Sequence, residues 1–213
     1  MLKILFLCLA LAALPVAAEE RQELPAILYT TFQQTAPPVV LGALEDEVDT
    51  IMGQLGRHYE WRSLKDNHGN EVSSELAVLT FQGRCDVEFL RAKEVQPGAL
   101  GWTHVSDGVI LPFSDINCDR IREFVQKQLL HLPLGEREES FGRALGRVVA
   151  HELYHIFANT AHHGSDGIGK SAYTVQDLLT DEFRFEERES EALRAKDTKR
   201  KPAAAPHTTN GAL

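Results

Sequence analysis

The sequence predicts an α+β domain, and three observations lead there. Short β-rich runs gather in the first half of the chain, and stretches with apolar residues at helical spacing dominate the second. The order between them is strand, helix, several strands, then helices, which is how layered α+β units with a small sheet are written along a chain. The chain has 213 residues, 43% hydrophobic and 25% charged, enough for one domain with a filled core.

The first residues read as a targeting signal. Met1-Leu2-Lys3 supplies a positive start, Ile4 to Leu14 is nearly unbroken apolar, and Pro15 ends the run. Val16-Ala17-Ala18 then places small residues where a signal peptidase cuts. Cleavage is expected after Ala18, so the expected layout is a signal peptide at 1–18, a domain at 19–196 and a disordered tail at 197–213. The apolar run is too short to span a bilayer and no later stretch is longer, so no stable membrane insertion is expected and the mature protein is expected outside the cytoplasm, secreted or periplasmic. Cys8 leaves with the signal. Cys85 and Cys118 remain, either joined as one disulfide or as two separate buried thiols.

Ala26 to Phe32 reads as a strand, and Pro37-Pro38 interrupts the chain after it. Leu44, Val48, Ile51, Met52 and Leu55 place an amphipathic helix over 41–55. His58 to Trp61 is a candidate short strand, and Leu76 to Phe81 a buried one. Gly98 to Val105 and Val109 to Phe113 read as strands on either side of the turn Ser106-Asp107-Gly108. Asp119 to Leu130 is helical by pattern, and Glu136 to Ala158 is one long helix with acidic first turns that suit its positive end. Asn159 to Gly169 is a loop, and Val175 to about Lys196 has helical composition and becomes increasingly charged.

The net charge of −9 argues against nucleic acid as a partner, because a phosphate backbone selects a basic face. The chemistry is concentrated in His151-Glu152-Leu153-Tyr154-His155, inside the long helix. Two histidines four apart lie on one face, where both rings reach a single metal ion. Glu152 beside them is placed to take a proton from a water that the metal activates, as a general base and not a ligand. The flanking Val148-Val149-Ala150 and Ile156-Phe157-Ala158 are apolar, so without a metal these three polar groups would be buried at a cost of several kcal/mol. Zn2+ is the expected ion. It needs a third protein ligand and an open fourth position.

The stretch HELYHIFANTAHHG resembles the metzincin clan of zincin metallopeptidases, and the resemblance covers about residues 26–175. The clan's glycine and third histidine, three and six residues after the second histidine, are Ala158 and Ala161 here, and its methionine turn has no methionine to supply it. Ser171-Ala172-Tyr173 stands at the corresponding place. The resemblance implies a zincin-like fold, with a small mixed sheet and an active-site helix, and a third ligand from the next histidines. A slightly longer turn could deliver one of them, since Asn159 tolerates a left-handed backbone, and His163 is preferred because Gly164 lets the chain approach and turn away. His162 competes, and in a gluzincin arrangement Glu182 or Glu186 would serve instead. The resemblance also implies a peptide or protein substrate docked as an added strand along the sheet edge, for which Gly98 to Val105, with the open backbone of Gly101, is the candidate.

Three readings of function stay open. One is an exported zinc-dependent metallopeptidase with Glu152 as base; another is a non-catalytic zinc-binding domain serving as a structural or interaction module. A surface protein carrying the motif by chance is a third. Tyr173 is either a donor to the oxyanion of the reaction or a packing residue. Tyr154 points off the metal face, and His104 reads as structural.

Overall fold

The computed structural model describes residues 24–91, 94–95 and 97–200, with side chains described as far as Ala195. The expected signal peptide and residues 201–213 of the expected tail lie outside the described residues. The chain is a mixed α+β structure whose five strands form one sheet in the order β2-β1-β3-β5-β4. The strands are β1 (Ala26–Phe32), β2 (Tyr59–Ser63), β3 (Glu75–Gln82), β4 (Gly101–Ser106) and β5 (Val109–Asn117). The helices are α1 (Pro38–Gly53), α2 (Cys118–Leu129), α3 (Leu134–Ala158), α4 (Val175–Leu179) and α5 (Glu187–Arg200). β1, β2, β3 and β5 run parallel to one another, and β4 closes one edge antiparallel to β5.

The interior strand β1 buries Ile27, Leu28 and Tyr29 in succession, as a strand covered on both faces does. β3 instead alternates: Ala77, Leu79 and Phe81 are fully buried while Leu76 is exposed, so one face meets the helical layer. α1 buries Val40, Leu44, Val48, Ile51 and Met52 against α3. The two helices approach closely because Gly142 and Gly146 have no side chain. A Cβ at Gly142 would lie 2.5 Å from the Val40 carbonyl oxygen, and one at Gly146 2.9 Å from that of Leu44. α3 is therefore a central helix, buried almost all round from Phe141 to Phe157.

The wholly buried Arg147 ties this helix to its surroundings. Its Nε donates to Glu47 Oε1 at 2.6 Å, and its Nη1 and Nη2 donate to the carbonyl oxygens of Asp177 and Thr180 at 2.7 and 2.6 Å. Cys85 and Cys118 are joined, so the disulfide alternative holds; the bridge ties the segment after β3 to the start of α2.

The structure moves several expected boundaries. α1 starts at Pro38, not Leu41, because proline at the first helical position lacks only an N–H that would have no helical partner. β4 starts at Gly101, not Gly98. β5 runs on to Asn117 because Phe113–Asn117 pair with Val78–Gln82 of β3, a long-range contact its polar Ser114, Asp115 and Asn117 do not announce. The largest correction is the expected helix over 175–196, which is two helices separated by residues 180–186. Carbonyls of that stretch are engaged elsewhere: Thr180 accepts from Arg147, and Arg184 accepts from the Ile168 N–H at 2.9 Å. α5 continues through Arg200, four residues past the expected domain end at Lys196. No helix among the described residues is long and apolar enough to cross a membrane.

Candidate metal centre

His151 and His155 project from one face of α3, as their spacing requires. Their Nε2 atoms lie 3.0 Å apart. Each Nδ1 meets a backbone carbonyl, His151 that of Ile168 and His155 that of Thr160, both at 2.7 Å. A carbonyl can only accept, so each Nδ1 carries the proton and each Nε2 of the neutral ring presents a lone pair. Two lone pairs facing each other at this distance repel unless a cation lies between them, and zinc bound by imidazole at about 2.0–2.1 Å per bond brings nitrogens to comparable separations.

The helix ends at Asn159, which takes the left-handed conformation with φ 49°. That turn lets the Thr160 N–H bond back to the His155 carbonyl, and it aims the Thr160 carbonyl at the His155 ring. The chain then returns so that His163 joins the pair. The ligand nitrogens of His151, His155 and His163 all lie within 4.8 Å of one another, and this cluster could hold a metal ion. The His163 ring centroid is 5.2 Å from that of His151 and 4.8 Å from that of His155. The Gly164 N–H donates to the Gly169 carbonyl at 2.8 Å, closing the loop that delivers it.

The competing ligands stand elsewhere. His162 is exposed, and its backbone N–H caps onto Thr160 Oγ1 at 3.1 Å. Exposed Glu182 pairs with Arg184 at 2.9 Å, and Glu186 accepts from Ser165 Oγ at 3.3 Å. Neither glutamate belongs to a metal-competent group among the described residues.

Glu152 is buried beside the cluster. Burial pushes its carboxyl up to about 7, opposed by a hydrogen bond from Thr103. Thr103 Oγ1 donates to Glu152 Oε2 at 2.7 Å. β4 passes this close because residue 101 is glycine: a Cβ there would stand 2.9 Å from Glu152 Oε1. Burial, reinforced by the neighbouring His155, lowers His151 to about 4, so it is a neutral, ligand-competent imidazole at physiological pH. Burial also lowers His155.

His151, Glu152, His155 and His163 open onto a cleft of about 760 Å³. Leu100, Phe124 and Val148 give it an apolar wall, and β4 forms one side. Tyr173 meets the His151 ring edge-on, with centroids 5.7 Å apart, and donates its hydroxyl to the Ile168 carbonyl. Burial holds that hydroxyl well above its usual range, and the Glu152 charge adds to this, so it remains a donor. Tyr154 packs against Phe185 at 5.7 Å, as its place off the metal face implies. His104 bonds across the hairpin to Asp115 at 2.7 Å on the exposed side of the sheet.

Sequence reasoning missed Thr103 and the two carbonyls that orient the histidines. The carbonyls leave no side-chain signal. Thr103 was detectable in part, since alternation along the expected strand places it on the same face as Gly101. No protein-family model matches the chain, and no curated protein matches it.

Proposed function

We propose that this chain is an exported zinc metallopeptidase with a zincin-like fold, hydrolysing peptide bonds with Glu152 as general base. The observation that carries the reading is a buried carboxyl, raised to about 7, beside converging imidazoles at the floor of an open cleft. A closed structural zinc site needs neither a base nor an open side.

His151, His155 and His163 would hold the ion, which when bound acts as a Lewis acid and lowers the pKa of a coordinated water to about 7. Glu152 takes the proton of the attacking water and returns it to the leaving amine. β4 has no partner strand on its outer edge among the described residues, and an extended peptide can pair there beside Glu152. The apolar wall of Leu100, Phe124 and Val148 receives a side chain of that peptide. Export is supported by the N-terminal sequence pattern and by the Cys85–Cys118 bridge, since disulfides persist in oxidising compartments.

Glu152→Gln tests the mechanism. Zinc content and fold are expected to persist, while cleavage of a peptide library falls by at least about 10²-fold. Loss of zinc would make the carboxylate a ligand. Absence of cleavage by the zinc-loaded wild-type chain would favour the second reading, a non-catalytic zinc-binding module.

A further inference from the structure

We infer that Thr103 is the positioning residue for Glu152, acting as the middle member of a hydroxyl chain that starts at Ser114. Thr103 lies on β4 and Ser114 directly opposite on β5. Their Oγ atoms are 2.8 Å apart, and Thr103 Oγ1 is 2.7 Å from Glu152 Oε2.

The direction of the chain follows from proton counting. In the ionised form that acts as a base, the carboxylate only accepts, so Thr103 spends its one hydroxyl proton on Glu152. Its oxygen is then free to accept, and Ser114, which is 1% exposed, supplies the proton. The Glu152 carbonyl, at 3.3 Å, is the more distant competitor for the Thr103 proton. A hydroxyl polarised by a second hydroxyl behind it is a stronger donor than one alone.

Thr103 could be a sheet residue that merely satisfies itself. Two features point further. Among the described residues Thr103 is the sole hydrogen-bond donor to the Glu152 carboxylate. A glutamate has three rotatable side-chain bonds, so one directional donor decides which oxygen is engaged and which is left over. Oε2 is held, while Oε1 lies against Gly101, where any side chain would intrude. One face of β4 therefore clears space at residue 101 and grips the carboxylate at residue 103.

The same strand is one of the two edges of the sheet among the described residues. A peptide pairing with β4 would border the Thr103 backbone while the Thr103 side chain holds the base. The orientation of Glu152 is thus set by the strand that would receive the substrate. The catalytic consequence rests on the peptidase reading; the bond itself does not.

The test uses the purified full chain with its metal and the variants Thr103→Val, Thr103→Ser and Glu152→Ala. Thr103→Val keeps the shape and removes the hydroxyl. It is expected to lower kcat about 10- to 100-fold with KM changed less than about twofold and metal content unchanged. Thr103→Ser is expected to return kcat to within about threefold of wild type. Independently of activity, Thr103→Val should lower the melting temperature by about 3–6 °C in the wild-type background and by less than about half of that in Glu152→Ala. Equal losses in both backgrounds would overturn the inference. So would an unchanged kcat in Thr103→Val, or a Thr103→Ser variant that melts like wild type without recovering kcat. If the wild-type chain cleaves nothing, the proposed function falls, and the melting cycle alone decides the Thr103–Glu152 bond.

Discussion

The Nδ1 nitrogen of His151 lies 2.7 Å from the carbonyl oxygen of Ile168, and this bond sets which ring nitrogen faces the cleft. The same carbonyl accepts the Tyr173 hydroxyl, so Tyr173 steadies the loop that orients His151. Tyr173→Phe is accordingly expected to weaken zinc binding by about tenfold, the lower end of what outer-shell partners contribute. Competition with a chromophoric chelator measures it. If Tyr173 serves the oxyanion instead, the variant will lose cleavage at unchanged zinc affinity.

Delivery of His163 by the turn at Asn159 makes a comparative prediction. His163→Ala should lower zinc affinity more than about tenfold beyond His162→Ala, because the His163 ring converges with those of His151 and His155 and that of His162 does not. Glu182→Gln and Glu186→Gln should leave affinity unchanged. Isothermal titration across the four variants checks the order, and a larger loss in His162→Ala would reassign the ligand.

The metal-free protein should show two opposed pH effects in one window. His151, lowered to about 4 in the fold from 6.5, refuses a proton that the unfolded chain accepts, so its contribution is lost as pH falls from about 6.5 towards 4. Glu152, raised to about 7 from 4.5, keeps a proton that the unfolded chain releases, so its contribution is lost as pH rises from about 4.5 to 7. The two partly cancel in the wild type. Glu152→Gln removes the second and exposes the first. The variant should be more stable than wild type at pH 7.5, by up to about 3 kcal/mol, and the advantage should vanish by pH 4.5. Urea denaturation of chelator-treated protein at both pH values reads this directly. A variant less stable than wild type at pH 7.5 would show that the carboxylate is not strained by burial.

The Cys85–Cys118 bridge spans a sequence separation of 33. Closing a loop of this size is worth about 3–4 kcal/mol. The paired Cys85→Ala, Cys118→Ala variant should lose most of that. Its denaturation midpoint should match that of the reduced wild type, and a midpoint equal to the oxidised wild type would mean the bridge does not form.

How far the chain could be read follows from the range of each signal. The apolar period placed α3 within two residues of its observed start and at its observed end, because a helix repeats its pattern over neighbouring residues. The four-residue spacing brought His151 and His155 together for the same reason, and Asn159 was legible as the left-handed residue because few side chains tolerate that backbone. The break between α4 and α5 was not legible. Residues 180–186 have helical composition, and two of their carbonyls, those of Thr180 and Arg184, are engaged by Arg147 and Ile168 and not by the next turn of a helix.

The sequence by itself determined the α+β class, the long central helix and a helix face that carries His151 and His155 with Glu152 beside it. Each of these is a relation between residues a few positions apart, where backbone geometry translates spacing directly into direction. Tertiary structure alone decided the sheet order β2-β1-β3-β5-β4, the joining of Cys85 to Cys118, the convergence of His163 and the grip of Thr103 on Glu152 across 49 residues. These contacts join segments far apart in the chain, and their geometry is set by packing: Gly142 and Gly146 admit α1, and Gly101 admits the Glu152 carboxylate.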